Sequence, residues 1–403
     1  MSASPEPEYA HLDFALDAVP DLHDVLADLR GRHAVAPVRY HGEPAFLITR
    51  AADLRPAFAD DETFPSAAAY LRIAGPVMGK TIQCMGGDEH RRNRALVSAA
   101  FRPRLMKEFV EAFLTPVAHQ LIDELAGRGE SDLVADYTTR YAFTVITRLL
   151  DFPETDFALL KRWGDGLIAF PWDPDFARQA SIEFTDYLTP IIAERRQSPG
   201  EDLLSSLATV EVDGERLADE EIFSFIRLLF PAGADTTYRG LGSMLYAVLT
   251  HREVFEAVQA DAGLVPQVVQ ESLRWEAPTA LLPRFAPKDV RWAGTYIPGG
   301  STVLFGITSA NRDESVYDAP ERFDPWRKER DFLSFGHGLH FCLGSHLARR
   351  EMEVSLKVIA ERLPDLELVD PDQVGIEGTV LRGPGRLPVR FGTRSARSDG
   401  RCA

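Results

Sequence analysis

Most of the chain is patterned on a helical period. In residues 103–126 apolar side chains recur every fourth position, at Leu105, Phe109, Phe113, Val117, Leu121 and Leu125, and Pro103 suits a first helical turn. Residues 219–250 open on Asp219, Glu220 and Glu221, which suit the positive end of a helix dipole. Ile222, Phe225, Ile226, Leu229 and Gly233 then mark one face, and Ala348, Met352, Ile359 and Leu363 do the same for 343–363. Strand patterns are short. Val38 to Ile48 reads as a small hairpin turning at Gly42, and further strands are expected at 290–296, 302–305 and 388–392. With no internal repeat and no linker-like stretch, the pattern predicts a mainly α fold with a minor β component. It places one domain over 20–392, after a flexible segment 1–19 and before a disordered tail 393–403.

Composition narrows the function classes. Across 403 residues, 45% hydrophobic and 26% charged positions exclude wholesale disorder. The 44 basic against 61 acidic residues give a net charge of −17, which argues against nucleic acid or an anionic membrane as the main partner. Cys84, Cys342 and Cys402 have neither disulfide-framework nor zinc spacing, so a reducing cytoplasm is expected. The first residues lack the apolar core of a signal peptide, and the weakly charged stretch 292–311 is interrupted by Gly and Pro. A soluble protein without membrane spans is expected.

One loop stands out, Phe335-Gly-His-Gly-Leu-His-Phe-Cys-Leu-Gly344. Its three glycines allow tight turning and close backbone approach. Cys342 precedes a predicted helix whose first N–H groups, on Leu343, Gly344 and Ser345, lack partners within it. These donors should stabilise a thiolate and lower the thiol's pKa, suiting a single-thiolate metal ligand or a nucleophile. A lone cysteine is more often a small buried hydrophobe, but a chance match to six fixed positions is on the order of one in ten thousand.

The loop closely resembles the haem-binding signature of cytochromes P450. The resemblance implies the P450 fold and a haem b (iron protoporphyrin IX) cofactor bound by Cys342, with Phe335 beside the sulfur, Gly344 in the cofactor loop and His340 at a propionate. Other family landmarks follow in order, from about residue 20 to 392. Residues 232–237, Ala-Gly-Ala-Asp-Thr-Thr, put an acid and an alcohol inside an apolar helix, which is costly unless they are paired or functional. Pro231 and Gly233 should distort that helix locally. By resemblance this is the oxygen-binding groove, with Asp235 and Thr236 delivering protons. Glu271 and Arg274 match the family's structural ExxR pair, and His90, Arg94, Arg284 and His340 match its propionate-binding positions.

The resemblance implies a monooxygenase that hydroxylates or epoxidises a hydrophobic small molecule with O2. Electrons would come from NAD(P)H through a ferredoxin reductase and ferredoxin, since the chain shows no flavin module. Arg91, Arg92, Arg94, Arg102, Arg104, Lys107, Arg349 and Arg350 would form a basic docking patch for an acidic ferredoxin. The pocket would be lined by segment 70–83, the region around 170–172, Leu228, Ala232, Ala280, Leu282 and Val380. A monomer is the family default. The rivals are a peroxygenase, or an isomerase or dehydratase, marked by loss of the acid–alcohol pair. A haem sensor or carrier would need an output module, and a cysteine hydrolase would need a His and an Asn or Asp around Cys342.

Overall fold

The computed structural model describes residues 9–19, 21–101, 107–152 and 157–392. Arg102, Pro103, Arg104, Leu105, Cys402 and the expected disordered tail therefore lie outside the described residues. The described part of the N-terminal segment is packed where flexibility was expected to residue 19. Phe14 is fully buried, and the Asp13 carboxylate accepts backbone N–H bonds from Ala15, Leu16, His41 and Gly42.

Helix α1 (Leu22–Arg32) leads into a hairpin of β1 (Val35–Tyr40) and β2 (Glu43–Ile48). Its two turn residues, His41 and Gly42, both have positive φ, 53° and 79°, the handedness that matches strand twist. Glycine takes that conformation freely; His41 is held in it by Asp13. The sheet is completed by β3 (Leu281–Ala286) and β4 (Ser301–Gly306), in the order β1-β2-β4-β3. β2 runs parallel to β4 with Ala45 opposite Thr302, and β3 pairs antiparallel with Leu281 opposite Gly306. Phe46, Ile48, Val303 and Phe305 enter one apolar cluster, while Ala45, Leu47 and Leu304 enter another. Both faces of the sheet are thus buried, as the period-two alternation of side chains requires. The strand expected over 290–296 is a small hairpin, Val290–Trp292 with Thr295–Ile297, and Pro388–Arg390 is a third expected strand.

Helices dominate the rest: α2 (Ser66–Ile73), α3 (Gly87–Ala100), α4 (Thr139–Leu149), α5 (Phe157–Ile168), α6 (Pro174–Gln197), α7 (Asp219–Thr250), α8 (Val265–Trp275) and α9 (Ser345–Arg362). α7 is the axle, roughly 48 Å long, with α4, α5, α8 and α9 all packed against it. It runs unbroken through Pro231, where distortion was expected. Packing along its full length outweighs one missing N–H bond. The stripe expected over 103–126 is also modified. A π turn at Val110–Leu114 precedes a helix at Thr115–Leu125, and its wider winding rotates Phe113 outward to 40% exposure while Val117, Leu121 and Leu125 stay buried.

Glu271 and Arg274 are no surface pair. Arg274 holds Glu271 through two bonds of 2.8 and 2.7 Å in the interior, and Arg327 reaches the same carboxylate at 3.1 Å. The remaining Arg274 donors go to the carbonyls of Asn311, Pro320 and Arg322. This network ties α8 to the irregular chain before the cysteine loop. Asn311 carries it onward, accepting from Leu333 N–H and donating to Ser334.

Candidate active site

The cysteine loop folds back on itself through one bond, Cys342 N–H to Phe335 O at 3.0 Å. Gly336 and Gly338 sit at φ of 71° and 72°, and a Cβ on Gly338 would stand 3.0 Å from the Phe58 carbonyl oxygen. Close approach and handedness together explain those two glycines. α9 starts at Ser345, so Cys342 lies just ahead of its N-terminus. The backbone N–H groups of Gly344 and Ser345, two of the three expected donors, act on the sulfur. Cys342 is exposed along the loop, yet the protein crowded around its sulfur pushes the thiol up, against those donors and the charges of Arg94 and Arg349. The depressed pKa expected from the donors alone is therefore overturned by desolvation. Phe335 lies under the Arg349 guanidinium, 4.5 Å from its ring centre, and beside Phe341.

Around this loop the structure gathers polar groups that the protein itself leaves unsatisfied. His90 is fully buried on α3, and neither of its ring nitrogens has a hydrogen-bond partner. Its ring meets His340 at 4.3 Å, and His340 Nε2 is likewise unbonded. Asp61 stands 3.5 Å from that nitrogen, a charge contact too long and misaligned for a hydrogen bond. Burial, with help from His340 and Arg94, pulls His90 down to about 4, so it is a neutral hydrogen-bonding group. Arg94, one helical turn after His90, donates to Phe341 O at 2.8 Å. Arg284 is buried on β3, where it bonds the Pro283 carbonyl and rests on the rings of Tyr70 and Phe305. Neither arginine has a carboxylate in ion-pair contact among the described residues. Buried donors and cations in excess of their acceptors are costly unless an anion joins them. Two guanidinium groups, two imidazoles and a sulfur with its own backbone donors fit a dianionic metalloporphyrin.

A cavity of about 190 Å³ opens beside α7, lined among others by Leu228, Ala232, Asp235, Thr236, Leu282 and Val380. Ala280 is different: it is fully buried behind the wall, its N–H bonding Val380 O at 2.8 Å, and it does not line the cavity. Ile73, Gln83 and the loop Phe170–Trp172 add to the lining, and Trp172 Nε1 donates to Ala15 O at 2.9 Å. Thr236 donates its hydroxyl to Ala232 O at 2.7 Å. Asp235 is buried and paired with Arg239 at 2.9 Å, a partner the i,i+4 spacing could have flagged. Tyr40 and Asp61 were also missed. Only the fold brings them to the site, because they lie far in sequence from every motif.

The Cytochrome P450 family model matches residues 155–364. Vitamin D(3) 25-hydroxylase of Pseudonocardia autotrophica is 35% identical over 387 residues, 93% of this chain and 94% of the relative. The chain belongs to the cytochrome P450 family. 6-deoxyerythronolide B hydroxylase of Saccharopolyspora erythraea is 34% identical over 391 residues, covering 92% and 96% of the two chains. The structure of cytochrome P450 CYP109Q5 from Chondromyces apiculatus superposes with a TM-score of 0.88 at 33% identity, over 96% of this chain and 99% of that one. As a P450 monooxygenase the protein is an oxidoreductase of the haem-thiolate class. No helix among the described residues is long and apolar enough to cross a membrane.

Proposed function

We propose that Cys342 holds haem b through its sulfur, with His90, Arg94, Arg284 and His340 binding the two propionates, and that the enzyme oxygenates a hydrophobic small molecule in the adjoining cavity. The observation that carries this is that neither nitrogen of buried His90 has a partner and neither Arg94 nor Arg284 has a carboxylate in ion-pair contact among the described residues around the cysteine loop. Haem bound by a thiolate supplies the activation of O2, one atom of which enters the substrate while the other leaves as water. Thr236 would hold a proton at its Oγ1 on the cavity wall, and Asp235, on the same wall, would resupply it. Keeping both groups favours a monooxygenase over a peroxide-driven enzyme.

Electrons would arrive from NAD(P)H through a ferredoxin docking on the face that carries Arg349, whose positive charge acts on Cys342. Much of the expected basic patch is internally neutralised: Arg91 by Asp88, Arg92 by Glu215 and Glu221, and Arg350 by Glu353. Partly exposed Leu339 and Phe341, at 37% and 40%, give that face an apolar centre. Both described cysteines are free, which suits a reducing cytoplasm. The test is a CO-difference spectrum of the reduced protein. Wild type should give the red-shifted band of thiolate-bound haem, and the same band from Cys342→Ala would overturn the reading.

A further inference from the structure

The cavity's polar inventory is short. Among the described residues no Lys, Arg or His lines it, and the one carboxylate that does, Asp235, is already paired with Arg239. The Thr236 hydroxyl is spent on Ala232 O and the Trp172 indole N–H on Ala15 O. Tyr70 faces Arg284. Tyr40 is left over. It lines the cavity with only 8% of its surface exposed, and its hydroxyl has no hydrogen-bond partner among the described residues.

Its placement is fixed by the chain around it. Tyr40 is the last residue of β1, and the turn that follows is pinned by the Asp13 carboxylate. That carboxylate acts on Tyr40 electrostatically, but its oxygens are occupied by four backbone N–H groups. Burial pushes the phenol well above its ordinary range, so the hydroxyl stays a proton donor at neutral pH. A buried hydroxyl facing a cavity without a partner is one that a ligand atom can satisfy.

We propose that Tyr40 anchors a neutral oxygen, a hydroxyl or a carbonyl, on an otherwise apolar substrate, and that the cavity discriminates against carboxylates. A carboxylate would enter with no cation to meet it and with Asp235 already on the wall. Tyr40 stands on the sheet side and Thr236 on the α7 side, so the anchored oxygen and the carbon to be oxidised occupy separate parts of the ligand. This rests on the reading that the cavity adjoins the haem.

The test titrates haem-loaded wild type and Tyr40→Phe with phenylcyclohexane, its ketone and its carboxylate, following displacement of axial water by the haem absorbance. In wild type the ketone should bind about ten-fold more tightly than the carboxylate. Tyr40→Phe should weaken the ketone about five-fold while leaving the hydrocarbon unchanged, which also reports an intact fold. A wild-type preference for the carboxylate, or equal ketone affinity in both proteins, overturns the anchor alone. Silence of all three probes, the hydrocarbon included, overturns the haem-facing reading and the anchor with it.

Discussion

Glu276 ends α8 with its side chain 2% exposed, and three groups converge on it. Arg382 Nε lies at 2.6 Å, His23 Nε2 at 2.7 Å and Arg312 Nη2 at 3.9 Å. Burial by itself would raise this carboxyl, but Arg382, His23 and Arg312 together bring it from 4.5 to about 2. At about 1.36 kcal/mol per pH unit, that interval is about 3 kcal/mol of folding stability. Because the folded pKa is the lower one, the contribution is complete above the unfolded value of 4.5 and is lost as pH falls through about 2. About 1.4 kcal/mol of it should be gone by pH 3.5. Urea unfolding of wild type and Glu276→Gln, measured from pH 7 down to 3.5, isolates this carboxyl from the others. The variant should be about 3–5 kcal/mol less stable at pH 7, since its arginines lose their counter-charge. The gap should then narrow by about 1.4 kcal/mol at the acid end. A gap that stays constant with pH would refute the reasoning, because Glu276 would then not be held as an anion.

Three further outcomes are expected. Thr236→Ala should retain haem and still consume NAD(P)H while diverting electrons to peroxide, read as the ratio of product to NAD(P)H oxidised; unchanged coupling counts against its proton role. Arg349→Glu should slow reduction by an acidic ferredoxin about ten-fold at low ionic strength and less at high salt, since screening weakens the steering; a salt-independent rate would remove Arg349 from the docking face. Arg274→Met should cost about 3–5 kcal/mol in chemical unfolding, because Glu271 loses both short bonds in the interior and three carbonyls lose a donor. A loss below about 1 kcal/mol would mean Arg327 suffices.

Elements whose period is uninterrupted were legible in the sequence. The acidic start and apolar face of α7 give a helix with the expected bounds, and the hairpin at Gly42 turns where its strand pattern stops. Legibility failed where winding or solvation competes with pattern. The π turn at Val110–Leu114 displaces Phe113 from its stripe, and no residue type announces such a turn. For Cys342 the backbone donors were readable from the helix start, yet the sign of the thiol's pKa depends on how much protein surrounds it. The same holds for His90, whose spacing to Arg94 was visible but whose neutral state follows from burial beside His340. Motif residues announce themselves, whereas Tyr40 gains its place only because β1, the loop 170–172 and α7 converge.

The indole of Trp172 is bonded to the carbonyl of Ala15, so the loop between α5 and α6 is fastened to chain some 150 residues earlier. Thr379 adds a second clasp, donating its hydroxyl to Asp17 O at 2.8 Å beside Val380. Two stretches of the cavity wall, at Trp172 and beside Val380, are therefore moored to residues 15–17. Trimming the start of the chain, or fusing a bulky tag close to it, would reshape the cavity without touching a single residue of its lining.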